Sequence, residues 1–515
     1  MKVLFFYKNN ESLGLEYLSA ALKERGHDTF LLFDPSADNF GVRFLDRASG
    51  FRWERARDAF RLFRPDLVCF SLLTNHFWWG LLLARRLKAE FDVPVLAGGP
   101  HPTIVPEFVA SKPEFDYACV GEGEQCIVRL VEVLEQAGWS AGERREPSDH
   151  DWTLVPGLPT VPNLAFRAGG KGDVTINPLA PLITDLDALP FPDKDLFFDV
   201  AKFTDPYHVV ATRGCPHDCT YCINHQLHAL YPGQPRVRRR SVENVVAELE
   251  WAQRRYGLRS VYFQDDNFLL DGKWLRRFAL EYRRRVDLPF KCLAHPASVD
   301  RKVAKLLWAA GCRDVDLGVE SGSSRIREAV FGRARVENRR ILAGAKALMD
   351  VGVRLTTLNI VNAPTETPAD LRATLELNAA INPHAVHLTS LYPYPNTRVA
   401  QACADADVFP PAARVRVLYG LANYRQRTLL DHPNADLGER IRLYAPLLLR
   451  LPRWLQRRFL RVVTRLPPVK ALNAMNVALS TSFHNGLKKL RELLSMTRST
   501  RRFYAHLKRS ARSLN

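Results

Sequence analysis

The chain has 515 residues, 46% hydrophobic and 25% charged, with a formal net charge of +18. That length suggests two to four domains, and the composition is that of a folded globular protein, not of a disordered or collagen-like chain. No uninterrupted apolar run reaches the roughly 18 residues a spanning helix needs, and nine cysteines without secretory pairing fit a reducing cytoplasm.

Residues 2–7 are too short and too quickly polar for a signal peptide and read as a first strand. An amphipathic helix follows over 15–25, stopped at Gly26, then a strand over 27–33 and a helical stretch over 42–63. Further strands are expected at 65–71, 94–97 and 117–120, with helices at 77–91 and 124–136. Strands alternating with helices of this length predict a parallel sheet covered on both faces. Such sheets bind ligands outside the carboxyl ends of their strands. Those ends carry Ser71-Leu-Leu-Thr74, Gly98-Gly-Pro-His-Pro-Thr103 and Gly121-Glu-Gly-Glu124. Glycines there let backbone approach a large ligand. Turn chemistry alone would account for one such loop, but three at matching ends of one sheet point to a site. Cys69, Cys119 and Cys126 lie in or beside apolar strands and read as core residues. Residues 141–195 form a connector with a hairpin about Gly169-Gly170.

A strand over 207–213 then stops at Gly214 and releases Cys215-Pro-His-Asp-Cys219-Thr-Tyr-Cys222. Three thiolates at this spacing select an iron–sulfur cluster or zinc. On a cubane cluster, three cysteines leave one iron open. A structural zinc would want a fourth ligand, for which His217 and His225 are the candidates. Beyond the motif the alternation resumes. Ser241 caps a helix to about Tyr256, and strands follow at 261–264, 290–294, 314–319, 354–361 and 385–389. Six strand units suit a partial barrel, since a closed eight-unit barrel needs about 250 residues. Each strand ends in polar or small residues, where barrels gather catalytic groups, and a zinc module needs no such barrel.

The cysteine motif, with the aromatic Tyr221 before its last cysteine, resembles that of the radical S-adenosylmethionine (SAM) enzymes. The resemblance implies that Cys215, Cys219 and Cys222 hold a [4Fe-4S] cluster whose open iron binds SAM, which is then cleaved to a 5′-deoxyadenosyl radical. It places Gln264, Asp265 and Asp266 at the SAM amino group and Glu320-Ser321 at the ribose, with Tyr221 beside them. Where relatives often carry a G-x-P-G-E-T run, this chain has Asn362-Ala-Pro-Thr-Glu-Thr367. The first 140 residues resemble the cobalamin-binding domain found ahead of many radical SAM barrels. Ser71, Leu73, Gly98 and Gly99 match the positions that line the nucleotide tail, and Gly121 and Glu122 join them. The D-x-H-x-x-G hallmark is replaced by Lys8-Asn-Asn-Glu-Ser-Leu-Gly14, so cobalamin is expected with its base displaced and no histidine from that loop. His76 is nearer, but reads as a core or surface histidine.

The expected organisation is thus α/β throughout: a Rossmann-like cobalamin-binding domain (1–140), a linker (141–195), a partial (β/α)6 TIM barrel (196–400) and a basic helical C-terminal region (401–515). From Arg450 to Asn515 the net charge is +15, so the other 449 residues carry only +3 of the +18. Residues 445–466 space large apolar residues and arginines as an interfacial helix does. The expected function is methyl transfer to an unactivated carbon or phosphorus, with [4Fe-4S], SAM and cobalamin as cofactors. A non-methylating cyclisation or ring contraction is the alternative within the family. A basic membrane- or nucleic-acid-binding protein around a structural metal is the alternative outside it. Expected partners are a small-molecule or lipid-like substrate, a flavodoxin- or ferredoxin-type electron donor, and the inner face of the membrane through the tail. Nucleic acid is not expected, because no recognition motif is present.

Overall fold

The computed structural model describes residues 1–34, 53–139, 151–170, 172–201, 206–333, 336–424, 426–449, 451 and 455. Seven strands make the first sheet: β1 (Lys2–Lys8), β2 (Asp28–Asp34), β3 (Leu67–Ser71), β4 (Val95–Gly98), β5 (Tyr117–Cys119), β6 (Leu164–Phe166) and β7 (Thr175–Ile176). Their order is β2-β1-β3-β4-β5-β6-β7. The first five are parallel, and β6 and β7 are added antiparallel. The hairpin expected in the connector therefore extends the first sheet.

Residues 3–7 of β1 are apolar because both faces of the strand are covered. Val3 and Phe5 enter one core with the helix Glu124–Gln136, and Leu4 and Phe6 enter another with the helix Phe77–Glu90. In a 2-1-3-4-5 order the chain reverses direction across the sheet between β1 and β3. That reversal opens a crevice at the carboxyl ends of those two strands, the usual ligand position in such folds.

The second sheet holds β8 (Tyr207–Val209), β11 (Val261–Phe263), β12 (Phe290–Ala294), β13 (Cys312–Glu320), β14 (Arg354–Val361) and β15 (Ala385–Ser390), all parallel. Its order, β15-β14-β13-β12-β11-β8, leaves β15 and β8 as edges. It is the six-unit partial barrel that the strand count predicted. The Ser241 hydroxyl accepts from Asn244 N at 3.1 Å and starts the helix Val242–Tyr256, which Gly257 ends. Two short strands, β9 (Thr212–Arg213) and β10 (Arg238–Arg239), pair antiparallel and bracket the cysteine loop.

Among the described residues, three helices follow β15: Arg398–Asp405, Pro411–Leu418 and Ala435–Leu448. The last packs on β15 through Ile441, Ala445 and Leu448. The second returns to the first domain, where Tyr419 sits 5.1 Å from Phe108 and 6.1 Å from Phe77. Among the described residues no helix is long and apolar enough to cross a membrane. Of the helix expected over 42–63, Trp53–Phe63 is described. Nearly all of the interfacial helix and basic tail expected beyond Arg450 lies outside the described residues.

Candidate active site

The cysteine loop leaves β9 at Gly214 and ends in the short helix Asn224–Leu230. Its bed is the turn after β13: Thr220 N donates to the Phe331 carbonyl at 3.1 Å and its hydroxyl to the Val330 carbonyl at 2.5 Å. Cys219 is buried, Cys215 and Cys222 are half-buried, and all three are free thiols. Burial pushes Cys215 up to about 11 and Cys222 to about 12, and in each case Asp266 and a neighbouring loop thiol add to the effect. Three thiols crowded beside a carboxylate become favourable thiolates only against a cationic centre. That donor set fits an iron–sulfur cluster.

Among the described residues no three His, Cys, Asp or Glu side chains converge on a single ion. A multi-iron cluster needs no such convergence, because each thiolate takes its own iron. His217 stacks on His295 at 4.2 Å, and His225 Nε2 accepts from Arg398 N at 3.3 Å.

The carboxyl ends of β11, β12 and β13 bring charged and polar groups to the cysteine loop. Asp266 is solvent-accessible yet hemmed in by protein, and it accepts from Asn224 Nδ2 at 3.0 Å. Glu320 closes β13 at a bulge with φ +66. Arg333 donates to Glu320 Oε1 at 2.6 Å and to Tyr221 Oη at 3.0 Å. No motif signalled Arg333, which lies in the turn beyond β13. Its positive charge acts on Cys215 and Cys219. His295 Nδ1 accepts from Ala297 N at 3.1 Å. Burial, then Arg333 and His217, pushes this ring down to about 2, so it stays neutral with its proton on Nε2.

The side chains of the other residues expected at SAM have partners within the protein. The Asp265 carboxylate accepts from Ala211 N at 3.1 Å and from the Thr212 hydroxyl at 2.5 Å, tying β11 to the β8–β9 turn. Ser321 is fully buried, and its hydroxyl lies 3.1 Å from that of Thr374. Gln264 Nε2 donates to His208 Nδ1 at 3.0 Å.

In the first domain, Ser71, Leu73, Gly98 and Gly99 gather at the carboxyl ends of β3 and β4, beside the crevice. Leu73 is 36% exposed, a large apolar side chain with one face uncovered. A Cβ on Gly98 would make only ordinary contacts, with Cys119 Cβ at 3.8 Å and the Phe70 carbonyl at 4.0 Å, so a side chain could be accommodated there. Gly99 has φ +99, and a Cβ there would lie 3.0 Å from Leu72 N. This open, partly apolar cradle fits a corrinoid tail. Glu122 is committed instead to Arg213 and Arg238 at 3.0 and 2.9 Å, and Gly121 faces Tyr231. In the loop after β1, Glu11 pairs with Lys194 at 2.7 Å and with His208 at 3.1 Å. His76 is buried with its ring edge to Tyr7 at 6.2 Å.

The profile of the Radical SAM superfamily matches residues 209–377, and that of the B12 binding domain matches residues 6–131. The protein named uncharacterized methyltransferase PH0819, from Pyrococcus horikoshii, is 30% identical over 393 residues, covering 75% of this chain and 77% of its own. Cytidylyl-2-hydroxyethylphosphonate methyltransferase from Streptomyces wedmorensis is 26% identical over 344 residues, covering 61% of this chain and 62% of its own. Among solved structures, the radical SAM methyltransferase TsrM from Kitasatospora setae, with cobalamin and a [4Fe-4S] cluster bound, superposes with a TM-score of 0.58. The match is 17% identical and covers 78% of each chain. The chain belongs to the radical SAM superfamily, as a member with a B12 binding domain ahead of the radical SAM core.

Proposed function

We propose that this enzyme transfers a methyl group from SAM, by way of cobalamin, to an unactivated carbon or phosphorus of a small molecule. The observation that carries the reading is the match to a methyltransferase-named relative across both halves of the chain. The fold supports it, because the cysteine loop is in direct contact with a carboxyl-end loop of the first sheet. When bound, the cluster, SAM and cobalamin supply the electron, the radical precursor and the methyl carrier.

The chain's own residues bind, orient and shield. Cys215, Cys219 and Cys222 hold the cluster. Arg333, itself fixed by Glu320 and Tyr221, offers a guanidinium for the SAM carboxylate. Asp266 offers an acceptor for the SAM amino group, and the neutral His295 offers an Nε2–H donor. Leu73 and Gly98 shape the cradle for the corrinoid tail. The loop after β1 holds no histidine, and its one carboxylate is already paired with Lys194, so that loop would offer cobalamin no ligand. The electron comes from a flavodoxin- or ferredoxin-type protein. The tail from Arg450 onward carries a net +15, which supports contact with an anionic membrane surface and a lipid-like substrate.

The test uses anaerobically reconstituted protein given cobalamin, reductant and SAM labelled in its methyl group. Label should move to the bound corrinoid and, with a small-molecule extract added, to a new product alongside 5′-deoxyadenosine. Replacing any of the three loop cysteines with Ala should remove cluster iron and 5′-deoxyadenosine together. 5′-Deoxyadenosine formed while the label stays on SAM-derived methionine would overturn methyl transfer and leave a non-methylating radical reaction.

A further inference from the structure

The base of the cysteine loop is built from two like charges. Arg213, the last residue before Gly214-Cys215, stands directly across the β9–β10 pair from Arg238. Like charges in that position repel and weaken a strand pair. The compensation comes from the first domain. Glu122 accepts from Arg213 at 3.0 Å and from Arg238 at 2.9 Å through each of its oxygens. Glu124 accepts the second arm of Arg213 at 2.6 Å. The Arg213 guanidinium also lies 5.1 Å from the Tyr17 ring centroid, another first-domain residue.

The far side of the loop makes a matching contact. Tyr231 caps the helix that follows Cys222. It presses its hydroxyl against the first-domain loop so closely that a Cβ on Gly121 would lie 1.9 Å from Oη. Asn163 Nδ2 donates to that hydroxyl at 3.3 Å and to the Val120 carbonyl at 2.7 Å. Thus the chain just before Cys215 and the chain just after Cys222 both grip one four-residue loop, Gly121–Glu124, at the carboxyl end of β5. Neighbouring ends of the same sheet carry Ser71, Leu73 and Gly98.

Resting on the function proposed above, we infer that Arg213 is a positioning residue. Through Glu122 and Glu124 it sets the separation and orientation of the cluster loop relative to the corrinoid cradle. A fork of charge-assisted hydrogen bonds is suited to this, because a guanidinium fixes direction as well as distance. The loop's own contacts to Phe331 and Val330 do not involve Arg213, so the loop has a seat on the barrel separate from the latch.

The test compares the parent holoenzyme with Arg213→Gln, Arg213→Lys and Glu124→Gln, each loaded with cluster and cobalamin. Iron, sulfide and corrinoid are counted first. The readout is the magnetic interaction between cob(II)alamin and the reduced cluster by electron paramagnetic resonance. Arg213→Gln and Glu124→Gln should keep about one cluster and one corrinoid per chain while the interaction weakens or spreads over many separations. Arg213→Lys, which keeps the charge, should retain most of it. An interaction unchanged in Arg213→Gln overturns the inference. So does loss of the cluster itself in both Arg213→Gln and Glu124→Gln, which would make the latch a folding element. A parent that takes up cobalamin yet shows no interaction overturns the inference alone. A parent that takes up no cobalamin overturns the functional reading beneath it.

Discussion

Two adjacent glycines make separable predictions about the cobalamin cradle. Gly99 is held at φ +99 with the Leu72 backbone 3.0–3.1 Å from any Cβ. Any side chain there strains the protein itself, so loss of binding would say nothing specific about a ligand. Gly98 has room for a Cβ and an ordinary backbone. Gly98→Val should therefore fold with parental circular dichroism and cluster content while cobalamin affinity falls by at least tenfold, on the order of 1.4 kcal/mol or more. Titrating cob(II)alamin by its absorbance measures this. Parental affinity in Gly98→Val would place the corrinoid tail elsewhere. The residue scale is also where sequence reading reached least far. Asp265, Ser321 and Glu122 sit at the expected places in the motifs, yet their side chains serve the scaffold. Arg333 and His295 lie beside the cysteine loop with no motif to mark them.

At the scale of one element, the loop after β14 keeps a glycine-like backbone without glycine. Asn362 and Thr365, at the two glycine positions of the run common in relatives, both have φ +64. A β-branched residue in that region is strained, and the loop is held by Glu366. Its Oε2 accepts from Asn362 N at 2.6 Å and from Ala363 N at 3.2 Å. Glu366 is 1% exposed, and burial, reinforced by Asp370, raises it to about 8. A carboxyl raised in the folded state holds a proton that the unfolded chain has lost. Its contribution is therefore fully present below the unfolded value near 4.3 and is lost as pH rises through about 8. Urea unfolding of the parent should lose on the order of 4 kcal/mol from this group between pH 4.5 and 8. Glu366→Gln, which keeps the acceptor and cannot ionise, should flatten that decline. An equal slope in both proteins would show that Glu366 is ionised in the fold.

At the scale of the molecule, the two sheets are pinned together by buried charge. Lys194, from the connector, is 1% exposed and pairs at 2.7 Å with both Glu11 and Glu16 of the first domain. Its ammonium lies 4.6 Å from the Tyr207 ring of β8. Lys194→Met would leave two buried carboxylates side by side. Stability should fall by about 3–5 kcal/mol, the cost of breaking a buried pair from one side, with first-domain and barrel probes unfolding together. A change under about 1 kcal/mol would mean that water already reaches the pair. The tail is a separate question. Because Ala445, Leu448 and Leu449 are packed in the core beside β15, a truncation that leaves the fold intact must end after Leu451. Flotation with vesicles of rising anionic lipid content should then retain the full chain and release the truncated one, each basic residue near the surface contributing about 1 kcal/mol. Equal partitioning of both would remove the reason to expect a lipid-like substrate.

The strands, the helix starting at Ser241, the count of six barrel units and the cysteine loop were legible in the sequence because each is a near-neighbour property. Apolar residues run unbroken from Val3 to Tyr7 in β1, a capping hydroxyl reaches three residues ahead, and three thiols share one eight-residue span. Strand order was not legible in this way, and strand order places the crevice between β1 and β3. The same holds for Arg213 with Glu122, 91 residues apart, and Lys194 with Glu11, 183 apart. A buried charge takes whatever opposite charge the packing brings within about 3 Å, and no spacing rule in the chain records which one that is. Sequence therefore determined what chemistry the loop could hold. The tertiary structure alone decided which side chains lie beside the cysteine loop and which are consumed in joining the first domain to the barrel.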